Sequence, residues 1–197
     1  MPPKRDTRLD LAALVQAFET MGGYLADRSV LGEIAVYGGT AILLQFEWRR
    51  TTEDVDAVVR DARCEGIVKD AAAYTALVHG LADGWLNNAV GAYTPQEEPD
   101  QLFTFFRSYP HDQPTGLRIV LARPEYLCAM KLKALQRADV GERDYDDAVR
   151  LASDIGCSSE QELEQLFATF FPDEVLDPSV RRRLPALAAA VRRGRAP

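Results

Sequence analysis

The stretch "AVYGGTAILLQFEWRRTTEDVDAVV", residues 35–59, decides the fold class of this chain. An apolar run leads into Gly38 and Gly39, a helix-like run follows, and a strand-like run "DVDAVV" carries Asp54 and Asp56. Residues two apart on a strand point to the same face, so we expect the two carboxylates to stand side by side. Such a pair repels itself unless a cation or proton intervenes, and Mg²⁺ binds carboxylates together with substrate phosphates. The pattern outlines a metal site.

The residues before this pair extend the pattern. Arg50 and Thr52 share the parity of the two aspartates, so an extended conformation that begins early would place a guanidinium and a hydroxyl beside them, which suits a polyphosphate. Gly38 and Gly39 put free backbone N–H groups at a helix N-terminus, where phosphate can approach closely. The simpler interpretations are a solvated strand entrance and a tight turn.

The order of elements predicts an α/β (α+β) fold. Helix-like and strand-like segments alternate through the first part of the chain, and "GLRIVLA" is the last predicted strand. From Pro124 onward all predicted segments are helical. We therefore expect a small mixed sheet flanked by helices over residues 1–122, followed by a C-terminal helical region over residues 123–197.

Composition limits the class of protein. The chain has 197 residues, 47% of them hydrophobic, which suffices for a real core. No apolar run reaches membrane-spanning length and the N-terminus lacks an apolar signal segment, so we expect a cytoplasmic protein without membrane contact. The three cysteines, Cys64, Cys128 and Cys157, are widely spaced and are expected to be packing residues.

Charge is unevenly distributed. The net charge is −7, yet residues 180–197 contain six arginines and no acid. A basic tail can contact RNA or an acidic partner. Arginines that flank "LPALAAAV" are also typical of the solvated face of a terminal helix, and we favour this second interpretation.

A lysine on an apolar helix face is the second unusual feature. Within "PEYLCAMKLKALQR", Lys131 falls in the middle of an apolar arc. It either extends to solvent or reaches a site where an anion compensates its charge. Asp144 and Asp147 share a face of the next predicted helix and are expected to meet Lys131. A buried salt bridge with a purely structural role is the alternative.

Together these motifs resemble the minimal nucleotidyltransferases of the DNA polymerase β superfamily, and most closely the AbiEii-like and MenT-like toxins of bacterial toxin–antitoxin systems. The motifs are Gly-Gly, Arg-x-Thr-x-Asp-x-Asp, Lys-x-x-Ala-x-x-Arg and Arg-Asp-x-x-Asp, and the similarity runs from about residue 34 to residue 151. The resemblance implies a nucleotidyltransferase fold in which two aspartates bind Mg²⁺ or Mn²⁺. The resemblance implies that the metal is bound by Asp54 and Asp56. It implies that the nucleotide is bound by Gly38, Gly39, Thr40, Arg50 and Thr52, and that the site is completed by Lys131 and Asp144. The chain departs from many relatives in having Gly-Gly instead of Gly-Ser and no acidic residue on "GLRIVLA".

The activity implied by the resemblance is the transfer of a nucleoside monophosphate from a nucleoside triphosphate to an RNA, such as transfer RNA, or to a protein. A cognate antitoxin is the implied partner. The main alternative is a catalytically silent module that keeps the fold and binds a protein partner. Phosphatases with an Asp-x-Asp motif fit poorly, because their first aspartate follows an apolar strand whereas "EWRRTTE" precedes Asp54.

Overall fold

A computed structural model describes residues 8–95, 98–111, 113–137 and 141–194. Over these ranges the chain has mixed α/β architecture, with five β-strands in one sheet and eight α-helices. It divides into two compact units. The first comprises the chain up to Ala92 together with Phe103–Ala122, and the second comprises Tyr93–Leu102 together with the chain from Arg123 onward. The predicted division after residue 122 stays a prediction; in the structure the segment Tyr93–Leu102 groups with the chain from Arg123 onward.

The first unit contains the sheet. Its strands are β1 (Leu31–Val36), β2 (Val55–Val59), β3 (Leu86–Asn87), β4 (Phe103–Tyr109) and β5 (Gly116–Ala122). Their spatial order is β3-β2-β1-β5-β4. The pairs β1–β5 and β2–β3 are parallel, whereas β1–β2 and β4–β5 are antiparallel, so the sheet is mixed as predicted.

Three helices complete the first unit: α1 (Leu11–Ala26), α2 (Gly38–Gln45) and α3 (Glu65–His79). Helix α1 begins where the Asp10 carboxylate accepts a hydrogen bond from the amide of Ala13 (2.8 Å). It buries Leu14, Phe18 and Leu25, whose helical spacing makes one apolar face, and it packs on β5, β4 and α3. Helix α2 connects β1 to β2 and contacts β2, which brings the glycine pair close to the aspartates.

The second unit is helical. Its helices are α4 (Pro124–Ala134), α5 (Glu142–Ile155), α6 (Glu160–Phe170), α7 (Pro178–Arg181) and α8 (Leu184–Gly194). Pro124 opens α4 at the first helical position, as predicted, and Ser159 and Glu162 form a capping box at the start of α6. Helix α5 packs against α4 and α8, and α6 packs against α4 and α8.

The basic tail shows the pattern of an ordinary terminal helix. Helix α8 buries Leu187 and Val191. Arg192 donates to the Ser158 carbonyl (2.6 Å), and Arg181 lies 3.3 Å from a Glu164 carboxylate oxygen. The described arginines of this segment are all exposed, but only Arg192 and Arg193 belong to α8, and Arg195 lies outside the described residues.

The cysteines are free thiols. Cys128 is fully buried, and burial raises the pKa of its thiol well above the ordinary range. Cys64 and Cys157 are half-buried. The packing role predicted for all three is therefore clearest for Cys128.

Two boundaries differ from the sequence predictions. The sequence pattern of residues 64–85 predicts a helix to about Gly84, but α3 ends with His79, and Gly80, whose φ is 64°, forms a left-handed C-cap. The turn-forming residues of "WLNNAVGAYTPQEEPD", residues 85–100, predict a loop, but Leu86 and Asn87 form strand β3 beside β2. Over the described residues, no helix combines the length and apolarity that crossing a membrane requires.

Candidate active site

The turn between β1 and α2 brings Gly38 into contact with Asp56. Gly38 has φ +58°, a conformation that side-chain-bearing residues rarely adopt, and it is the first residue of α2. A Cβ atom built on Gly38 would lie 2.6 Å from Asp56 Oδ2. Glycine is therefore favoured here, because another residue would be strained at this φ and its Cβ atom would displace the Asp56 carboxylate. Because Gly38 has no side chain, the Asp56 carboxylate oxygen lies directly against the backbone at the start of α2.

Gly39 has the same steric role for two other side chains. A Cβ atom at Gly39 would lie 2.8 Å from Arg49 Nη2 and 2.9 Å from Thr52 Oγ1. The Arg49 guanidinium is oriented by a hydrogen bond from its Nε to the Thr51 carbonyl (2.9 Å). In the first turn of a helix the backbone N–H groups have no intrahelical partner. The Arg49 guanidinium and the Thr52 hydroxyl therefore lie beside the first-turn amides of α2.

Asp54 is held through its backbone by two buried hydroxyls. Thr40 Oγ1 donates to the Asp54 carbonyl at 2.6 Å, and Thr52 Oγ1 donates to the same carbonyl at 3.0 Å. Both threonines are almost completely buried. Because both hydroxyls donate to the Asp54 carbonyl, we infer that they stabilise the bend at Asp54. Their protons are therefore not free to donate to a ligand.

The Asp54 side chain is held by a residue on β3. Asn87 Nδ2 donates to Asp54 Oδ2 at 3.0 Å. Asn87 is also the register partner of Asp56 in the parallel β2–β3 pair. Register partners on neighbouring strands project their side chains to the same face of a sheet. The carboxylates of Asp54 and Asp56 therefore lie on one face, as the sequence predicted.

The route to this arrangement differs from the predicted one. The extended parity from Arg50 to Asp56 does not exist, because β2 begins at Val55 and a bend at Glu53 and Asp54 precedes it. Thr52 instead pairs with Leu9 in an isolated bridge. Arg50 is exposed, and it is Arg49 that lies against the glycine turn.

Arg49 and Arg50 also border a groove of the first unit, whose lining includes neither the glycine turn nor Asp54 or Asp56. The groove has a volume of about 650 Å³ and is lined by the start of α1, the end of α2 and the segment that follows α2, including Arg49 and Arg50. Clefts of this size accommodate small-molecule ligands.

Lys131 and Asp144 lie in the second unit and form an ion-pair network. Lys131 Nζ lies 2.7 Å from Asp144 Oδ1 and 3.0 Å from Asp147 Oδ2, and Arg137 Nη2 lies 3.1 Å from Asp144 Oδ2. The expected meeting of Lys131 with both aspartates is therefore present. Burial raises the pKa of Asp144, but the opposing attraction and hydrogen bonds of Lys131 and Arg137 are stronger and hold it below its ordinary value. These contacts are those of a structural network, and a catalytic role for either residue stays a prediction.

The first-unit residues are chemically suited to a divalent cation. Mg²⁺ and Mn²⁺ prefer oxygen ligands, and Mg²⁺ at nucleotide sites takes one or two carboxylates plus substrate phosphates. Asp54 and Asp56 supply two carboxylates on one face, and an Asp56 oxygen lies against the backbone of Gly38 at the start of α2. Among the residues that the structure describes, no group of three or more His, Cys, Asp or Glu side chains is arranged to hold a metal ion.

Comparison with known proteins yields no relative: no family model matches the chain, and neither the curated proteins nor the solved structures include a significant match.

Proposed function

We propose that this chain is a Mg²⁺-dependent nucleotidyltransferase that moves a nucleoside monophosphate from a nucleoside triphosphate to an RNA or protein acceptor. One observation supports the proposal: the Asp56 carboxylate lies against Gly38 at the start of α2, in a turn whose first amides have no intrahelical partner and whose Gly39 lies against Arg49. Groups that bind a cation and groups that bind phosphate thus occur together. The nucleotidyltransferase fold itself is part of the proposal, supported by the mixed sheet and by the sequence resemblance.

The chain's own residues divide into two roles. Asp54 and Asp56 would hold the cation, and the Gly38–Gly39 turn with Arg49 would bind the phosphates through amide and guanidinium donors. When bound, Mg²⁺ neutralises the triphosphate and lowers the cost of charge that develops during transfer. Thr40, Thr52 and Asn87 keep Asp54 in place, so little reorganisation is needed when substrate arrives.

The reaction is a substitution at the α-phosphorus. An acceptor oxygen or nitrogen forms a bond to that phosphorus, the bond to the bridging oxygen of the β-phosphate breaks, and pyrophosphate leaves. The proton of the acceptor group passes to solvent. A toxin-like role with a cognate antitoxin rests on the sequence resemblance alone, and Lys131 and Asp144 are not required by this scheme.

The proposal is tested by incubation with each nucleoside triphosphate labelled at the α-phosphate, together with Mg²⁺ and either total RNA or total protein. We expect label in one fraction with the wild type and none with Asp56→Asn. Asp146→Asn is the matched control, because Asp146 belongs to another Asp-x-Asp pair and is exposed on α5. Absence of label in both fractions with every nucleotide would favour the silent binding module instead.

A further inference from the structure

Asn87 uses both ends of its side-chain amide. Its Nδ2 donates to Asp54 Oδ2 at 3.0 Å, and its Oδ1 accepts a hydrogen bond from the Ala89 amide at 2.8 Å. A carboxylate can only accept from the first end, and a backbone N–H can only donate to the second. The orientation of the amide is therefore determined by its neighbours, and the Ala89 contact aims the N–H donor at Asp54.

The contacts at Asp54 exceed what a solvated strand entrance requires. Its carbonyl accepts from two buried hydroxyls, Thr40 and Thr52, and its carboxylate accepts from Asn87. One carboxylate oxygen thus accepts a hydrogen bond from an amide whose residue is the register partner of Asp56. Without this donor the carboxylate could rotate away, and the repulsion between the two aspartates would favour that rotation.

We propose that Asn87 is a positioning residue that orients the Asp54 carboxylate for a divalent cation. This inference rests on the proposed function, because it assumes that Asp54 and Asp56 bind the ion. Groups that hydrogen-bond to a metal ligand fix its orientation, and their loss typically lowers metal affinity by about 10- to 100-fold. Asn87 would therefore set metal affinity without being a ligand itself.

The test measures Mn²⁺ binding to the full chain by electron paramagnetic resonance, in which free Mn²⁺ gives a sharp signal and bound Mn²⁺ a broadened one. The variants are Asn87→Ala, Asn87→Ser and Asp54→Asn. A serine hydroxyl can still accept from the amide two residues on, but it is too short to reach Asp54. Asn87→Ser therefore keeps the local turn and removes the contact. Asn88→Ala is the matched control, because Asn88 is the exposed neighbouring asparagine.

We expect Mn²⁺ affinity to fall about 10- to 100-fold in both Asn87 variants and to be unchanged in Asn88→Ala. Saturating Mn²⁺ should restore nucleotide binding to the Asn87 variants, which a general folding defect would not allow. Wild-type affinity in a folded Asn87→Ser protein, with affinity lost in Asp54→Asn, would overturn the inference and leave the proposed function standing. Failure of the wild type to bind Mn²⁺, with or without nucleotide, would overturn both.

Discussion

Replacing Lys131 by methionine should strongly destabilise the second unit. The Lys131 side chain is only 13% exposed, and its ammonium lies 2.7 Å and 3.0 Å from carboxylates of Asp144 and Asp147, the latter only 4% exposed. Methionine fills a similar volume but leaves both carboxylates without this cation. Removing one partner of a buried pair costs about 3–5 kcal/mol. Asp144 keeps Arg137 at 3.1 Å, so we expect about 3 kcal/mol, the lower end.

The assay is urea and thermal unfolding at pH 7, followed by circular dichroism. In a chain of this length each kcal/mol lowers the melting temperature by about 2–4 °C, so a fall of roughly 6–12 °C is expected. The control is Lys69→Met: Lys69 Nζ lies 2.6 Å from Glu65 Oε1, but its side chain is 69% exposed. An exposed pair of this kind contributes only about 0.3–0.5 kcal/mol.

A double variant separates the electrostatic cause from loss of packing. Adding Asp147→Asn to Lys131→Met removes one of the two uncompensated carboxylates and should recover part of the lost stability. Equal effects of Lys131→Met and Lys69→Met would refute the reasoning, as would a double variant less stable than Lys131→Met alone.

Three further outcomes are expected. Gly38→Ala should cost at least about 1–2 kcal/mol in thermal unfolding, because φ is +58° and the methyl group would meet Asp56; an unchanged melting temperature would contradict this. Arg49→Gln should weaken calorimetrically measured binding of a nucleoside triphosphate about tenfold, the loss of one charge-assisted contact, and Arg50→Gln much less; the reverse order would restore the sequence-based assignment. The pKa of Asp144 lies below its ordinary value, since its cations outweigh burial. Its contribution to stability should therefore be present above about pH 4 and be lost as the pH falls further, so urea unfolding of wild type and Asp144→Asn should converge in acid.

The sequence predicted the parts of the site whose signals are local. Gly38 and Gly39 between an apolar strand and an apolar helix, and Asp54 and Asp56 beside the next strand, mark elements long enough for their periodicity to be recognised. The sequence also predicted that the two aspartates share a face. In the structure this arrangement involves Asn87, which pairs with Asp56 in the β2–β3 register and donates to Asp54.

What the sequence missed depends on contacts between distant segments. Asn87 lies on a strand of two residues, which is too short to show alternation, and its position depends on pairing with β2. The parity pattern favours Arg50 over Arg49 only if the chain is extended, whereas the Leu9–Thr52 bridge and the bend before β2 interrupt the extended conformation. Tertiary pairing overrode a pattern that was locally reasonable.

The central claim is tested most directly by the melting temperatures of wild type and Asp56→Asn, each with and without Mg²⁺ and a nucleoside triphosphate. Without ligands the free energy of unfolding of the variant should lie within about 1 kcal/mol of that of the wild type. The reason is that relief of repulsion from Asp54 offsets the lost attraction to the N-terminus of α2. With ligands at about 100 times their dissociation constant, the wild type should gain about 2.7 kcal/mol, or roughly 5–11 °C, and the variant nothing. A variant that is destabilised without ligands, yet still gains stability from Mg²⁺ and nucleotide, would contradict the assignment of the site.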